Sequence, residues 1–221
     1  MASDTPAPPI RDARSVLCFG DSNTWGSDPS DPDRRFPWSV RWPGVLQIEL
    51  GDAFHVVEEG LGSRTTVVDD PLLPYRSGLA LLAPCLEAHA PLDLVIVMLG
   101  TNDISYSWVG AAAAADGAGM LAQRVLRSEA GPGGGAPAVL LVCPPPVGPI
   151  TEDADLYVGA EEKSRKLPGE FARVAAATGC PWLDAGEVVA TSAIDGWHLE
   201  AAEHGRLGSA LAERVRGMLA E

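Results

Sequence analysis

The chain has few basic residues for its size. It carries 16 Lys and Arg against 30 Asp and Glu, which gives a formal net charge of -14 over 221 residues. Nucleic acids and anionic membrane surfaces attract clustered positive charge, so this balance argues against both as partners. Hydrophobic residues nevertheless make up 46% of the chain, which is enough for a globular domain with a sizeable core.

Long apolar segments are also missing. The longest strongly apolar run, residues 94–99, is far too short to span a bilayer. The first nine residues are small, polar and rich in proline, and they lack the apolar stretch of a signal peptide. We therefore expect residues 1–14 to form a loose N-terminal tail, residues 15–221 to form a single domain, and the protein to be cytoplasmic.

Familiar metal and phosphate motifs are absent from the sequence. It contains no Cys-x-x-Cys pair, no His-Glu-x-x-His motif and no Gly-Lys-Ser or Gly-Lys-Thr triplet. Four cysteines are present, mostly in or beside apolar runs, and we expect them to be free thiols in a reducing compartment. They are Cys18, Cys85, Cys143 and Cys180.

Strand-like and helix-like segments alternate along the chain, which is typical of an α/β protein with a mainly parallel sheet. The candidate strands are residues 16–19, 55–58, 92–99, 139–143 and 182–183. The candidate helices are residues 45–50, 79–88, 120–128, 161–177 and 199–219. These elements fit a three-layer α/β/α fold around a flavodoxin-like, five-stranded parallel sheet in which strands 1 and 3 are neighbours.

The first strand ends abruptly in a Gly-Asp-Ser motif at residues 20–22, and Gly26 follows four residues after Ser22. A tight turn here presents the Ser22 hydroxyl at the carboxyl edge of the sheet, where open α/β sheets bind their ligands. A serine hydroxyl is a weak nucleophile unless an imidazole base, oriented by a carboxylate, activates it. Ser22 is therefore a candidate nucleophile.

A matching base and carboxylate stand near the C-terminus, in the segment Asp-Gly-Trp-His at residues 195–198. Asp195 and His198 are three residues apart, so they can meet on one turn and form a hydrogen bond. The alternative interpretation is a helix-capping aspartate beside a surface histidine. If the first strand and the last helix are neighbours, His198 lies beside Ser22. His204, within the last helix, is expected on its solvated face.

Two further loops can supply hydrogen-bond donors. The third strand ends in Gly-Thr-Asn-Asp at residues 100–103, and the amide of Asn102 can donate to a developing oxyanion. The second strand is followed by two glycines, Gly60 and Gly62, which permit a backbone shape that aims an N–H into the site. Taken alone, Asn102 is an ordinary turn residue, and the second loop can likewise be an ordinary turn after a strand.

Taken together, these four blocks resemble the SGNH, or GDSL, hydrolase superfamily, and within it the bacterial arylesterase and acyltransferase branch. The second block reads Gly-Leu-Gly-Ser-Arg-Thr-Thr at residues 60–66. All four stand in the superfamily's order and span nearly the whole chain, which makes the resemblance specific. One departure is Ser63, which stands where the superfamily usually has a glycine.

The resemblance implies a role for each matching residue. Ser22 is the nucleophile, His198 the general base and then general acid, and Asp195 the orienting carboxylate. The oxyanion hole is formed by the backbone N–H of Ser22, a backbone N–H at Ser63 and the side chain of Asn102. If Ser63 needs a positive φ, its neighbour Gly62 becomes the better donor. The resemblance implies neither a metal nor an organic cofactor. It does imply a homo-oligomer.

The sequence therefore predicts a serine esterase for small acyl esters, with acyl transfer to other alcohols as a side reaction. Its partner is a small-molecule ester. A carbohydrate acetylesterase is the nearer alternative, because related chains remove acetyl groups from sugars. A more distant one is a flavodoxin-like module without catalysis, whose Ser22 loop holds an anion on backbone amides.

Overall fold

The computed structural model describes residues 13–150 and 157–220. In chain order, its strands are β1 (Arg14–Gly20), β2 (Ser27–Asp28), β3 (Asp31–Arg35), β4 (Phe54–Gly60), β5 (Leu94–Met98), β6 (Ala138–Cys143) and β7 (Trp182–Asp184). Five of them form one parallel sheet in the order β4-β1-β5-β6-β7, and β2 pairs with β3 in a short antiparallel hairpin. The flavodoxin-like order is confirmed, with the first and third strands of the main sheet adjacent.

Helices cover both faces of the sheet. They are α1 (Ser22–Trp25), α2 (Trp42–Leu50), α3 (Gly78–His89), α4 (Thr101–Ser105), α5 (Ala111–Leu126), α6 (Ala160–Ser164), α7 (Leu167–Thr178) and α8 (Ala201–Met218). Successive residues of β1 alternate between the two layers of the core. Leu17 and Phe19 pack with residues of α3, α5 and α7, whereas Val16 and Cys18 pack with residues of α2 and α8. Burial on both faces explains why the central strands are continuous apolar runs.

Several boundaries differ from the predicted ones. The predicted helix over residues 161–177 is two helices, and Pro168 stands in the first turn of the second one, where its missing N–H costs nothing. Helix α5 begins at Ala111, well before the predicted start at residue 120. The prediction missed its first half because this alanine- and glycine-rich segment shows no helical spacing of large apolar residues. The β2–β3 hairpin was not predicted.

The predicted N-terminal tail, residues 1–14, lies mostly outside the described part of the chain. Residues 1–12 lie outside the described part of the chain, and β1 already begins at Arg14, inside the predicted tail. Among the described residues, no helix combines the length and the apolar character needed to cross a membrane.

The expectation for His204 was wrong, because this residue is fully buried between α8 and the start of α2. Its Nδ1 accepts a hydrogen bond from the N–H of Trp42 at 3.3 Å, and its ring packs edge-on against Phe36. Burial lowers the pKa of His204 to about 4, with smaller contributions from electrostatic interaction with His198 and Arg41. The imidazole is therefore neutral inside the folded protein at neutral pH.

Candidate active site

Ser22 is presented by a one-turn helix at the carboxyl end of β1. The preceding Asp21 caps this helix, since its carboxylate accepts a hydrogen bond from the N–H of Asn23 at 2.9 Å. Gly26 ends the helix in a left-handed conformation with φ of 90°, which glycine adopts without strain. A side chain at Gly60 of the neighbouring strand would lie 2.1 Å from the backbone nitrogen of Trp25, so glycine there lets α1 pack against the sheet edge.

Three predicted site residues form a continuous line of hydrogen bonds. Nε2 of His198 lies 2.9 Å from Oγ of Ser22, and Nδ1 of His198 lies 2.6 Å from Oδ2 of Asp195. The other carboxylate oxygen of Asp195 accepts from the backbone N–H groups of Trp197 and His198, at 2.9 and 3.0 Å. The turn at residues 195–198 thus orients its own carboxylate toward the imidazole.

The electrostatics of Asp195 set the tautomer of the imidazole. Partial burial pushes the pKa of Asp195 upward, but the hydrogen bonds from His198 and Trp197 outweigh it and hold the pKa below its ordinary value. The carboxylate is therefore ionised and accepts the Nδ1 proton of His198. In the neutral imidazole this arrangement leaves Nε2 as the acceptor nitrogen that faces the hydroxyl of Ser22.

The second loop forms a tight turn over residues 61–64, closed by a hydrogen bond of 3.1 Å from the N–H of Arg64 to the carbonyl of Leu61. Ser63 has a φ of 60°, in the left-handed region that favours glycine, whereas the φ of Gly62 lies outside that region. The sequence-based criterion for preferring Gly62 as a donor is thereby met. Both residues line the cleft beside Ser22, and neither N–H has a hydrogen-bond acceptor among the described residues.

Asn102 lies at the start of the third loop, on α4 directly after β5. One N–H of its amide donates to the carbonyl of Arg64 at 3.0 Å, which leaves the second N–H for a ligand in the cleft. The adjacent Asp103 accepts hydrogen bonds from the backbone N–H and the hydroxyl of Thr66, at 2.9 and 2.6 Å. Burial raises the pKa of Asp103, and the bonds from Thr66 partly offset that effect. The second and third loops are thus locked together.

Arg64 supports the site from beneath. Its guanidinium lies 4.0 Å from the ring centre of Phe19 and donates to the carbonyls of Gly20, at 2.8 Å, and of Glu59. Burial raises the pKa of Asp21 to about 6, although its bond from the Asn23 N–H and its electrostatic interactions with His198 and Arg64 act in the opposite direction. Neither Arg64 nor Asp21 lines the cleft.

The cleft above Ser22 has a volume of about 610 Å³. Among the described residues, those that line the cleft include His198 but no Lys, Arg, Asp or Glu. Hydroxyl groups and aromatic rings make up most of the wall, and they come from Ser27, Ser63, Thr101, Ser105, Tyr106, Ser107, Trp108, Tyr157 and Trp197. Such a surface suits an uncharged ligand that presents both apolar and hydroxyl-bearing parts.

The tryptophans nearest to Ser22 in the sequence are not the ones that form the aromatic wall. Trp25, Trp38 and Trp42 surround the first loop in the sequence but do not line the cleft; Trp42 is buried in the core. Trp197 lies inside the Asp-Gly-Trp-His block, and its position next to His198 could have predicted that it lines the cleft. Trp108 comes from a distant loop, for which the sequence gives no such signal.

The proline-rich segment at residues 144–149 follows β6 at the carboxyl edge of the sheet, but it does not line the cleft. It supports the base instead, because the N–H of Gly148 donates to the carbonyl of Gly196 at 2.8 Å, inside the turn that carries Asp195 and His198. Among the described residues, no group of three or more His, Cys, Asp or Glu side chains is arranged to hold a metal ion.

Comparison with known proteins agrees with this arrangement. The model of the GDSL-like lipase/acylhydrolase family matches residues 18–211. The native aryl esterase of M. smegmatis is 44% identical, with a TM-score of 0.90, over 94% of this chain and 100% of that chain. Est24, a carbohydrate acetylesterase from Sinorhizobium meliloti, is 42% identical, with a TM-score of 0.89, over 93% of this chain and 100% of that chain. None of the curated proteins matches the chain significantly.

The family match covers most of the chain, including all four predicted loops, and the similar solved structures are matched over their full lengths. The fold, the order of the loops and the family match all point to one class of enzyme, a carboxylic ester hydrolase of the serine type. The chain belongs to the GDSL-like lipase/acylhydrolase family.

Proposed function

We propose that this esterase cleaves small, uncharged acyl esters with Ser22 as its nucleophile. Oγ of Ser22 attacks the ester carbonyl carbon while Nε2 of His198 takes the hydroxyl proton. The tetrahedral intermediate collapses as His198 returns that proton to the leaving alcohol, and an acyl-enzyme remains on Ser22. Water then attacks the acyl group with the same base, which releases the acid and regenerates the serine.

Three donors converge on the position of the oxyanion in this proposal. They are the backbone N–H of Ser22, a backbone N–H of the Gly62–Ser63 turn, and the free amide N–H of Asn102. The Ser22 and turn N–H groups have no acceptor among the described residues, and the carbonyl of Arg64 orients the amide of Asn102. Donors that are already in place stabilise the developing negative charge without a cost of reorganisation.

One observation carries the mechanism: the 2.9 Å approach of His198 to Ser22, with Asp195 behind the imidazole. An anion-binding module has no use for a base and carboxylate arranged in this way. It would also be expected to place a lysine or arginine at the ligand, and the described residues that line the cleft include neither. Hydrolysis is therefore favoured over simple anion binding.

The cleft indicates which esters are cleaved. A described lining without Lys, Arg, Asp or Glu, on a chain with a net charge of -14, disfavours anionic substrates. Aryl and alkyl acetates are the first choice, in line with the aryl esterase from M. smegmatis. Acetylated sugars are the second, because Est24 is a carbohydrate acetylesterase and because hydroxyl groups line this wall as well.

A panel of substrates separates the two choices. Aryl esters of increasing acyl length, peracetylated sugars and a carboxylate-bearing ester are compared by kcat/KM. We expect the aryl acetate to lead and the carboxylate-bearing ester to be the poorest. Adding a primary alcohol tests acyl transfer, since a new ester forms if the alcohol competes with water for the acyl-enzyme.

Two broader features are part of the proposal. A homo-oligomer is supported by the exposed apolar side chains of Leu72, Tyr75 and Trp108, which are 92%, 78% and 72% exposed, and of which Trp108 lines the cleft. A cytoplasmic location is supported by four cysteines, all of them free. Light scattering that returns the mass of a single chain would remove the oligomer from this account.

Covalent labelling tests the nucleophile directly. A fluorophosphonate probe is expected to label the wild-type protein at Ser22, as located by peptide mass, and to leave Ser22→Ala unlabelled. Ser128→Ala, which changes a serine bound to the carbonyl of Val125 and outside the cleft, serves as the control and should label like the wild type. A wild-type protein that resists the probe would reject Ser22 as an activated nucleophile.

A further inference from the structure

Asn23, the residue after Ser22, holds both peptide groups that flank His198. Its Nδ2 donates to the carbonyl of Trp197 at 3.1 Å, and its Oδ1 accepts from the N–H of Leu199 at 2.9 Å. These partners are a backbone acceptor and a backbone donor, so only one orientation of the amide satisfies them. The side chain is almost fully buried.

The rest of the connection between the two segments is sparse. Apart from the contact of Ser22 with His198 itself, these two bonds are the hydrogen bonds that join α1 to residues 192–199 within the described chain. The bonds made by Asp195 fix the imidazole relative to its own turn, not relative to Ser22. The nucleophile and the base are 176 positions apart in the sequence, and the two bonds of Asn23 tie the backbone on either side of His198 to the helix that carries Ser22.

We infer that Asn23 is a positioning residue for the reaction, and that it acts by fixing the backbone of His198 beside Ser22. This inference rests on the proposed function. A proton transfer between Oγ and Nε2 is sensitive to displacement, and an error of about 1 Å in such a contact lowers rates about 100-fold. The role needs asparagine because the side chain must donate and accept at once.

Two variants remove this bridge in different ways. Asn23→Leu keeps the volume and removes both bonds, whereas Asn23→Asp keeps an acceptor for Leu199 and sets a carboxylate oxygen against the carbonyl of Trp197. Each is expected to lower kcat for p-nitrophenyl acetate by about 10- to 100-fold, with KM changed by less than about twofold. The near-isosteric Asn23→Asp keeps the test available if Asn23→Leu does not fold.

Gln47→Leu is the matched control. The amide of Gln47 also bridges backbone groups, donating to the carbonyls of Gly51 and Phe54 and accepting from the N–H of Val56. These bonds lie at the opposite end of the sheet from the cleft, because they join the end of α2 to the start of β4. We expect this variant to lose stability while its kcat stays within about twofold of the wild type.

A double-mutant cycle with His198→Ala separates positioning from a general loss of structure. If Asn23 acts through His198, Asn23→Leu has no further effect on the residual rate of His198→Ala. Equal fold-losses in the two backgrounds would overturn the inference, as would wild-type kcat in both Asn23 variants. A wild-type protein that neither hydrolyses esters nor reacts with a fluorophosphonate would instead contradict the proposed function.

Discussion

The carboxylate of Asp103 holds both the backbone N–H and the hydroxyl of Thr66, at 2.9 and 2.6 Å, in the buried interior. The two residues belong to different loops of the site, one after β4 and one after β5. Because Asn102 directly precedes Asp103, this pair fixes the position of the Asn102 amide in the cleft. The site is thus held by bonds between its loops as well as by the sheet beneath them.

Removing one of these bonds is expected to affect stability and rate together. Thr66→Val keeps the shape of the side chain and deletes the bond from its hydroxyl to Asp103, which should lower the free energy of unfolding by about 1–3 kcal/mol. A fall in kcat should accompany it. Thr178→Val, which loses a hydroxyl bond to the carbonyl of Val174 within α7, is the control and should leave kcat unchanged. Unfolding in urea and steady-state kinetics check both statements.

Asn102→Ala tests the oxyanion donor. Loss of such a donor typically raises the barrier by about 2.7–4 kcal/mol, so kcat should fall by about 100- to 1,000-fold with little change in KM. The lost bond to the carbonyl of Arg64 is a neutral one and should cost the fold only about 1 kcal/mol. An Asn102→Ala protein with nearly wild-type kcat would show that the amide does not stabilise the transition state.

The turn at residues 61–64 offers a matched pair of substitutions. Gly62 has a negative φ and open space around its missing Cβ, so Gly62→Ala should stabilise the fold by about 0.4–1 kcal/mol through the unfolded chain. Ser63 has a φ of 60°, so the β-branched Ser63→Val should destabilise it by about 1–3 kcal/mol. Thermal unfolding compares the two, and the opposite order of melting temperatures would reject this description of the turn.

His204 is expected to make the fold sensitive to acid. Its pKa falls from an ordinary value of 6.5 to about 4 on folding, so below pH 6.5 the unfolded chain takes up a proton that the folded one refuses. The contribution of His204 to stability is complete above pH 6.5. It is lost as the pH drops toward 4, by about 3 kcal/mol in all.

Two variants check this pH dependence. His204→Asn keeps an acceptor for the N–H of Trp42 and removes the titrating group, so its stability should fall less steeply between pH 6.5 and 4. The exposed His55 provides the control, and His55→Asn should keep the wild-type slope. Denaturant unfolding across this pH range gives both slopes. An unchanged slope in His204→Asn would assign the acid sensitivity to other groups.

Much of the site was predictable because its residues follow buried strands. A run such as residues 94–99 ends in glycine and polar residues at the edge of a parallel sheet, and edges of this kind meet in space. The local pattern therefore identified Ser22 and Asn102 as neighbours. The approach of His198 to Ser22 followed from the position of the last helix relative to the first strand.

The remaining differences have physical causes. His204 lies three residues before Leu207, in line with the apolar stripe of α8. Its burial was missed because histidine is not counted as an apolar residue when such a stripe is identified. The strand Asp31–Arg35 is charged at four of its five positions, has a proline at the fifth, and carries no apolar alternation. The bridge made by Asn23 depends on contacts between residues about 175 positions apart, which one sequence cannot reveal.

In the proposed mechanism Ser22 forms an acyl-enzyme, and this role is tested by the hydrolysis of p-nitrophenyl acetate. The release of p-nitrophenol is followed for the wild type and for Ser22→Ala, with circular dichroism and melting temperature confirming that both are folded. We expect turnover by the wild type and none above the uncatalysed rate by the folded variant. Undiminished release by Ser22→Ala would contradict it.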